Sequence, residues 1–215
     1  MKKFIVLLIL CCSSSQVWAE EATLQNIKVD TDLPAIERGM DDLMNNCHAC
    51  HTLKYITYLD LLKLGVDKKK VDTMRGDQPL DTPLAGLLSD EAAMQSFGLV
   101  PPDLSLMTKA REGGPSYVYS YLLGYYNTPD GVTHNRIFPA TKMPDPLGIS
   151  TTTDPAQREE LKKTAHDIVS FLAWASDPHE AERHRLGYFV IGYLLILTAL
   201  LYTVKNRIWS GLKKD

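Results

Sequence analysis

Cysteine is scarce in this sequence: four residues in 215, Cys11, Cys12, Cys47 and Cys50. That excludes the disulfide framework of a small stapled secreted domain. A basic excess is also lacking, since 23 Lys and Arg stand against 26 Asp and Glu. Nucleic acid is therefore not an expected partner, and the run Lys68-Lys69-Lys70 reads as a solvated face. No internal repeat is visible, which argues against a duplicated domain. Long apolar runs are missing from the whole middle of the chain and occur only at its two ends.

Those two runs carry different signals. Met1-Lys2-Lys3, the apolar stretch Phe4 to Cys12 and the small-residue region through Ala19 have the three parts of a secretory signal, with cleavage expected after Ala19. Removing residues 1–19 takes away Lys2 and Lys3 and no acid, so 23 basic and 26 acidic residues become 21 and 26. At the other end, Leu186 to Val204 carries no charged residue and matches the roughly 20 residues that a bilayer core requires. Tyr188, Tyr193, Tyr202 and Trp209 lie toward its ends, and Lys205, Arg207, Lys213 and Lys214 follow it. This predicts an exported body on one C-terminal transmembrane helix with a cytoplasmic basic tail.

Between the ends, Cys47-His48-Ala49-Cys50-His51 is the most informative stretch. Two cysteines three apart with histidine directly after the second are what covalent haem attachment uses: the thiols add across the vinyl groups and the imidazole ligates iron. A zinc site would need a second ligand pair, and Cys11 and Cys12 lie in the segment expected to be removed. A thioredoxin-like redox site would need a preceding strand, whereas Met40 to Asn46 reads as helix. Outside the cytoplasm free thiols oxidise unless captured, and haem captures both. His48 reads as a solvated side chain near the haem edge.

The body is otherwise expected to be mainly helical with long loops. Pro34 opens a helix whose Ile36, Met40, Leu43 and Met44 form an apolar stripe. Thr52 to Leu64 reads as a short helix or an extended cover. Residues 75–103, rich in Gly and Pro, read as loop with one short helix near Ser89 to Ser96. Helices are expected over Leu104 to Arg111 and from Pro115 through Tyr126, with a polar loop from Asn127 to Arg136. Ile137 to Gly148 contains Pro139, Pro144 and Pro146 around Met143 and predicts a stiff extended loop. Asp154-Pro155-Ala156-Gln157 resembles a capping box before a long helix ending near Ala175.

A six-coordinate haem needs a second ligand opposite His51, carried by a rigid and distant segment. Met143 fits that requirement best. Met74, Met94 and Met107 have ordinary packing explanations, and His134, His166, His179 and His184 lie in less suitable settings. A bis-histidine site and an open iron remain the alternatives on pattern alone.

Taken together, these residues resemble the cytochrome c1 family, the haem subunit of the cytochrome bc1 complex. The resemblance is carried by Arg38-Gly39, the Cys47 to His51 motif with Tyr55 and Tyr58, and Pro101-Pro102-Asp103-Leu104-Ser105. It continues through Ala110-Arg111 with Gly113-Gly114, Leu123-Gly124-Tyr125, Phe138-Pro139, Met143-Pro144, Asp167 to Trp174 and the anchor with Trp209-Ser210. Phe97-Gly98 stands where the family has Asn-Gly, and the link from Pro139 to Met143 is shorter than usual.

The resemblance implies a cytochrome c-like haem domain over residues 20–182 and an anchor over 183–205, with a tail over 206–215. It implies one haem c on Cys47 and Cys50, His51 and Met143 as axial ligands, and Arg111 and Tyr125 near the propionates. The expected role is a one-electron relay from the Rieske iron–sulfur protein to a soluble cytochrome c, beside cytochrome b in a dimeric multi-subunit complex. The chain would not be catalytic alone. Its expected location is a bacterial inner membrane with the haem domain in the periplasm. A free-standing tethered cytochrome and a haem-based ligand sensor are the alternatives. Asp41, Asp42, Glu159 and Glu160 are expected to steer a basic carrier, or simply to keep the protein soluble.

Overall fold

A computed structural model of the chain describes residues 23–212. The expected signal segment, with Cys11 and Cys12, and the terminal Lys213 and Lys214 lie outside the described residues. The fold is mainly helical, as expected, with two small two-stranded sheets.

Helix α1, Leu33–Asn46, has proline in its first turn and buries Ala35, Ile36, Gly39, Met40 and Leu43, an i, i+3, i+4 face. It runs directly into the Cys47 motif. Strand β1, Leu53–Thr57, and helix α2, Tyr58–Leu64, realise both readings of the Thr52–Leu64 segment. The boundary between them is a reciprocal capping box of Thr57 and Asp60, and left-handed Gly65 ends α2. Helix α3, Lys68–Arg75, is capped by Asp67. Its lysine run is more than a solvated face, because Lys70 reaches Asp41 of α1 at 2.7 Å. Strand β2, Pro83–Leu84, pairs with β1, and helix α4, Asp90–Phe97, is capped by Ser89.

Two expected helices are shorter than predicted. Helix α5 covers only Met107–Ala110. The segment before it is tied elsewhere: Leu104 N–H donates to the Thr52 carbonyl at 2.8 Å, and Asp103 accepts from the backbone of Lys54 and of Ser105. Such side-chain-to-backbone bonds compete with helix. Helix α6, Gly114–Leu123, stops at Gly124, and the next residues form strand β3, Tyr125–Asn127, paired with β4, Thr133–Asn135. The polar stretch expected to be loop is thus a hairpin, turned at Gly131 with φ of 81°.

Helix α7, Pro155–Ser176, crosses α1 and forms the centre of the core with Ile168, Val169, Phe171 and Leu172. Asp154 caps it by accepting from Ala156 N–H at 3.1 Å, a one-sided cap. The N-terminal arm is extended, as expected, and is strapped across two helices by serines. Gln25 and Ile27 N–H donate to Ser120 and Ser116 of α6, and Asp30 N–H to Ser170 of α7. Helix α8, Glu180–Leu212, is continuous. Its stretch Glu182–Ser210 is long and apolar enough to cross a membrane, and its most apolar part is unburied by the rest of the chain.

Candidate functional site

The end of α1, the inner faces of α6 and α7 and two proline-containing loops enclose a cavity of about 340 Å³. Cys47 closes α1 by donating its N–H to Leu43, and a tight turn follows in which Cys50 and His51 N–H both donate to the Cys47 carbonyl. That turn brings both thiols and the imidazole to the cavity wall. Burial pushes the Cys47 thiol up to about 12, with nearby Asp42 and Cys50 adding to the shift. The position favours neutral sulfur, which suits a thioether and disfavours a thiolate ligand or nucleophile.

His51 is buried, and its Nδ1 lies 2.8 Å from the Pro102 carbonyl. A carbonyl can only accept, so Nδ1 carries the proton and Nε2 keeps its lone pair. Burial lowers the imidazole pKa against that hydrogen bond and nearby Asp103, so the ring is held neutral, as a metal ligand must be. Gly86 lies flat against this turn: a β-carbon there would sit 3.0 Å from the His51 backbone.

His48 departs from its expected solvated setting. It is half-buried, its Nε2 is buried with no hydrogen-bond partner among the described residues, and burial lowers its pKa. The covering segment causes this, because Leu87 and Leu88 N–H bond the carbonyls of His48 and Ala49 and lay the chain over the motif.

Met143 lines the same cavity from the proline-rich loop, and Arg111 lines it near the turn after α5, with its guanidinium 6.0 Å from the Tyr117 ring centre. Tyr125 is not among the lining residues. It is buried behind the wall, its hydroxyl donating to the Met143 carbonyl at 3.1 Å. Burial, then the Tyr121 hydroxyl, push its pKa up strongly. The four downstream histidines do not line the cavity either.

Of two further lining residues, sequence reasoning gave Met107 to ordinary packing and did not single out Lys142. Met107 is a second thioether on the wall, and Lys142 is a second cation there; the charged lining residues are Arg111 and Lys142, with no acid. Outside the cavity, Asp30, His166 and Asp167 cluster as a metal site would. Arg38 engages the Asp167 carboxylate, and His166 Nε2 bonds the Lys28 carbonyl, so the cluster acts as a strap.

The donor set fits a c-type haem: two adjacent thiols, a neutral imidazole with a fixed tautomer, a thioether, an apolar wall and cations for carboxylates. Fold and site define a mainly helical c-type cytochrome with one helix able to span a membrane. Comparison with known proteins narrows the class. A profile of the Cytochrome C1 family matches residues 72–212. Cytochrome c1 of Allochromatium vinosum is 31% identical, covering 87% of this chain and 88% of the relative. A mitochondrial cytochrome c1 haem protein of Arabidopsis thaliana is 34% identical over 85% of this chain and 68% of the relative. A cytochrome b/c1 of Bradyrhizobium diazoefficiens is 30% identical over 83% of this chain and 33% of the relative. A solved chain titled "Hyperthermophilic respiratory Complex III" overlays with a TM-score of 0.48 and 19% identity across 98% of this chain and 96% of that one, and adds nothing to the assignment. The chain belongs to the cytochrome c1 family.

Proposed function

We propose that this chain is the haem-carrying subunit of a quinol–cytochrome c oxidoreductase. In this reading it relays single electrons from a Rieske iron–sulfur protein to a soluble cytochrome c. The observation that carries the proposal is the Cys47–Cys50–His51 turn on the wall of an apolar cavity, with Nδ1 of His51 tied to Pro102.

When bound, a haem c supplies reversible one-electron exchange at iron. The protein's own residues then have separate tasks. Cys47 and Cys50 would anchor the group by thioether bonds, and His51, its tautomer fixed by the Pro102 carbonyl, would ligate the iron. Met143 would supply a thioether ligand to the iron. Met107, the other thioether on the wall, follows Leu104, whose N–H is bonded to Thr52 immediately after His51. In this reading Met143 would ligate the group and Met107 would pack against it. Thioether ligation favours reduced iron and raises the potential. Arg111 and Lys142 would offset the group's carboxylates. The apolar lining of α6 and α7, including Val118, Leu122, Ile168 and Leu172, excludes water.

The membrane arrangement follows from the same reading. Residues 1–19 direct export, residues 20–182 form the periplasmic haem domain, 183–205 anchor it in the bacterial inner membrane, and 206–215 stay in the cytoplasm. Lys205, stacked near the rings of Tyr202 and Trp209, supports an interfacial end to the anchor there. Cytochrome b is the expected neighbour, as one relative's name, cytochrome b/c1, joins the two.

Gentle solubilisation of membranes and capture of this subunit tests the proposal. Co-purification of cytochrome b and a Rieske protein is the expected result. Capture of the cytochrome alone, under conditions that preserve such complexes, would replace it with a free-standing tethered carrier.

A further inference from the structure

We propose that Tyr121, Tyr125 and Thr141 are positioning residues that hold the Met143 backbone in a closed hydrogen-bonded ring and so fix where its thioether reaches. The proposal rests on Met143 being an axial ligand.

The ring leaves Met143 and returns to it. Met143 N–H donates to Thr141 Oγ1 at 3.2 Å, and that oxygen lies 2.5 Å from the Tyr121 hydroxyl. The Tyr121 and Tyr125 hydroxyls are 3.0 Å apart, and Tyr125 donates to the Met143 carbonyl at 3.1 Å. Both backbone groups of one residue are thereby engaged, so neither flanking peptide plane turns without breaking a bond.

The tyrosines form a stiff platform. Tyr121 sits on α6 with its ring stacked on Tyr117, centroids 6.4 Å apart, and Tyr125 meets it edge-on at 5.7 Å. Elsewhere the loop is held at its two ends. Asn135 accepts from Ile137 and Phe138 N–H, and Asp145 accepts from Leu147, Gly148 and Ser150 N–H. Prolines at 139, 144 and 146 fix local φ angles but cannot set the height of the loop over the cavity. The ring sets that height at its midpoint. It also gives the buried Tyr125 hydroxyl two partners, the Tyr121 hydroxyl and the Met143 carbonyl.

Thr141→Val removes one hydroxyl at nearly constant shape, Tyr121→Phe removes another, and Thr141→Ser restores the first. Each variant is purified as full-length holoprotein in its membrane complex. Two quantities are read: the urea concentration at which the thioether-to-ferric-iron absorption band disappears, and the rate at which carbon monoxide binds the ferrous form. Losing one such bond is expected to raise the carbon monoxide rate roughly tenfold in Thr141→Val and Tyr121→Phe. Their bands disappear at lower urea, while Thr141→Ser behaves as the parent. Parental values for both quantities in Thr141→Val and Tyr121→Phe would overturn the ring. If Tyr121→Phe does not assemble, Thr141→Val decides. Met143→Leu separates the two levels: a surviving band means the ligand assignment has failed and the ring's role with it. A band lost in Met143→Leu, with the other variants unchanged, means that only the ring has failed.

Discussion

Gly39 of α1 lies against the backbone of Asp167 in α7 so closely that a β-carbon on it would stand 1.9 Å from the Asp167 carbonyl oxygen. Beside this crossing, Arg38 Nε reaches the Asp167 carboxylate at 3.0 Å. One dipeptide therefore supplies both the close approach and the ion pair that orient α1, and α1 delivers Cys47 to the cavity.

Gly39→Ala should consequently be severe. In an ordinary helix interior the exchange gains up to about 1 kcal/mol, because glycine carries the larger backbone entropy cost. Here a backbone carbonyl blocks the methyl, so the helices must separate, at a cost of roughly 3 kcal/mol or more. The clash outweighs the entropy gain. Denaturant unfolding of the holoprotein should show a lowered midpoint and haem incorporation should fall; unchanged values would mean that the crossing relaxes freely.

Asp177, at the end of α7, gathers Lys109 of α5 at 2.5 Å and Arg183 of α8. Lys109 first and Arg183 second hold its carboxyl below the ordinary range. A depressed folded pKa means the stabilisation is complete above the unfolded value, about pH 4, and is lost as pH falls through the folded value. Asp177→Asn should therefore cost about 1 kcal/mol near neutrality, since the partners are solvent-exposed. The difference from the parent should vanish in acid. Thermal melts across that range check the sign, and a cost that persists at low pH would point to packing instead of charge.

The two thioethers on the wall make opposite predictions. Met143→Leu should abolish the thioether-to-iron band, lower the midpoint potential and open the ferrous form to carbon monoxide. Met107→Leu keeps similar volume and should leave the band in place, at less than about 1.5 kcal/mol in stability. The reverse pattern would exchange their roles.

Much of the molecule was legible because caps and periodicity are local. Pro34 with the Ile36–Met40–Leu43 stripe marked α1, Asp154-Pro155 marked α7, and a short helix was expected near Ser89 to Ser96, where α4 lies. The errors arose where distant groups took over backbone partners. Asp103 and Thr52 engage the segment expected to begin α5, and pairing with β4 draws Tyr125 and Tyr126 out of the helix expected there. At the site, chemistry and spacing singled out the motif and proline-bounded Met143, all of which reach the cavity wall. Lys142 was not, and Met107 was given to ordinary packing, because membership of a cavity wall depends on how loops fold over it. The acidic residues proposed to steer a carrier are also altered by context: Asp41 pairs with Lys70, Glu159 with Lys162, and Asp42 is partly buried.

Asn135 gives the last prediction, and its strength comes from the number of groups that depend on one amide. It is 1% exposed, donates to the Tyr121 carbonyl at 2.7 Å and accepts from Ile137 and Phe138 N–H at 2.9 and 3.1 Å. It therefore joins the end of α6 to the start of the Met143 loop. Asn135→Leu would leave those three backbone groups without this partner, at a cost of roughly 1–3 kcal/mol for each one left buried and unpaired. Asn135→Asp is more informative. A carboxylate can accept from both N–H groups but faces the Tyr121 carbonyl with no proton to donate. Protonation cures that defect, so the carboxyl pKa should rise in the folded state. Relative to the parent, Asn135→Asp should be best tolerated in acid and should lose stability as pH rises through its unfolded value. Unfolding measured against pH would show that slope; a flat difference between variant and parent would mean that the Tyr121 contact contributes little.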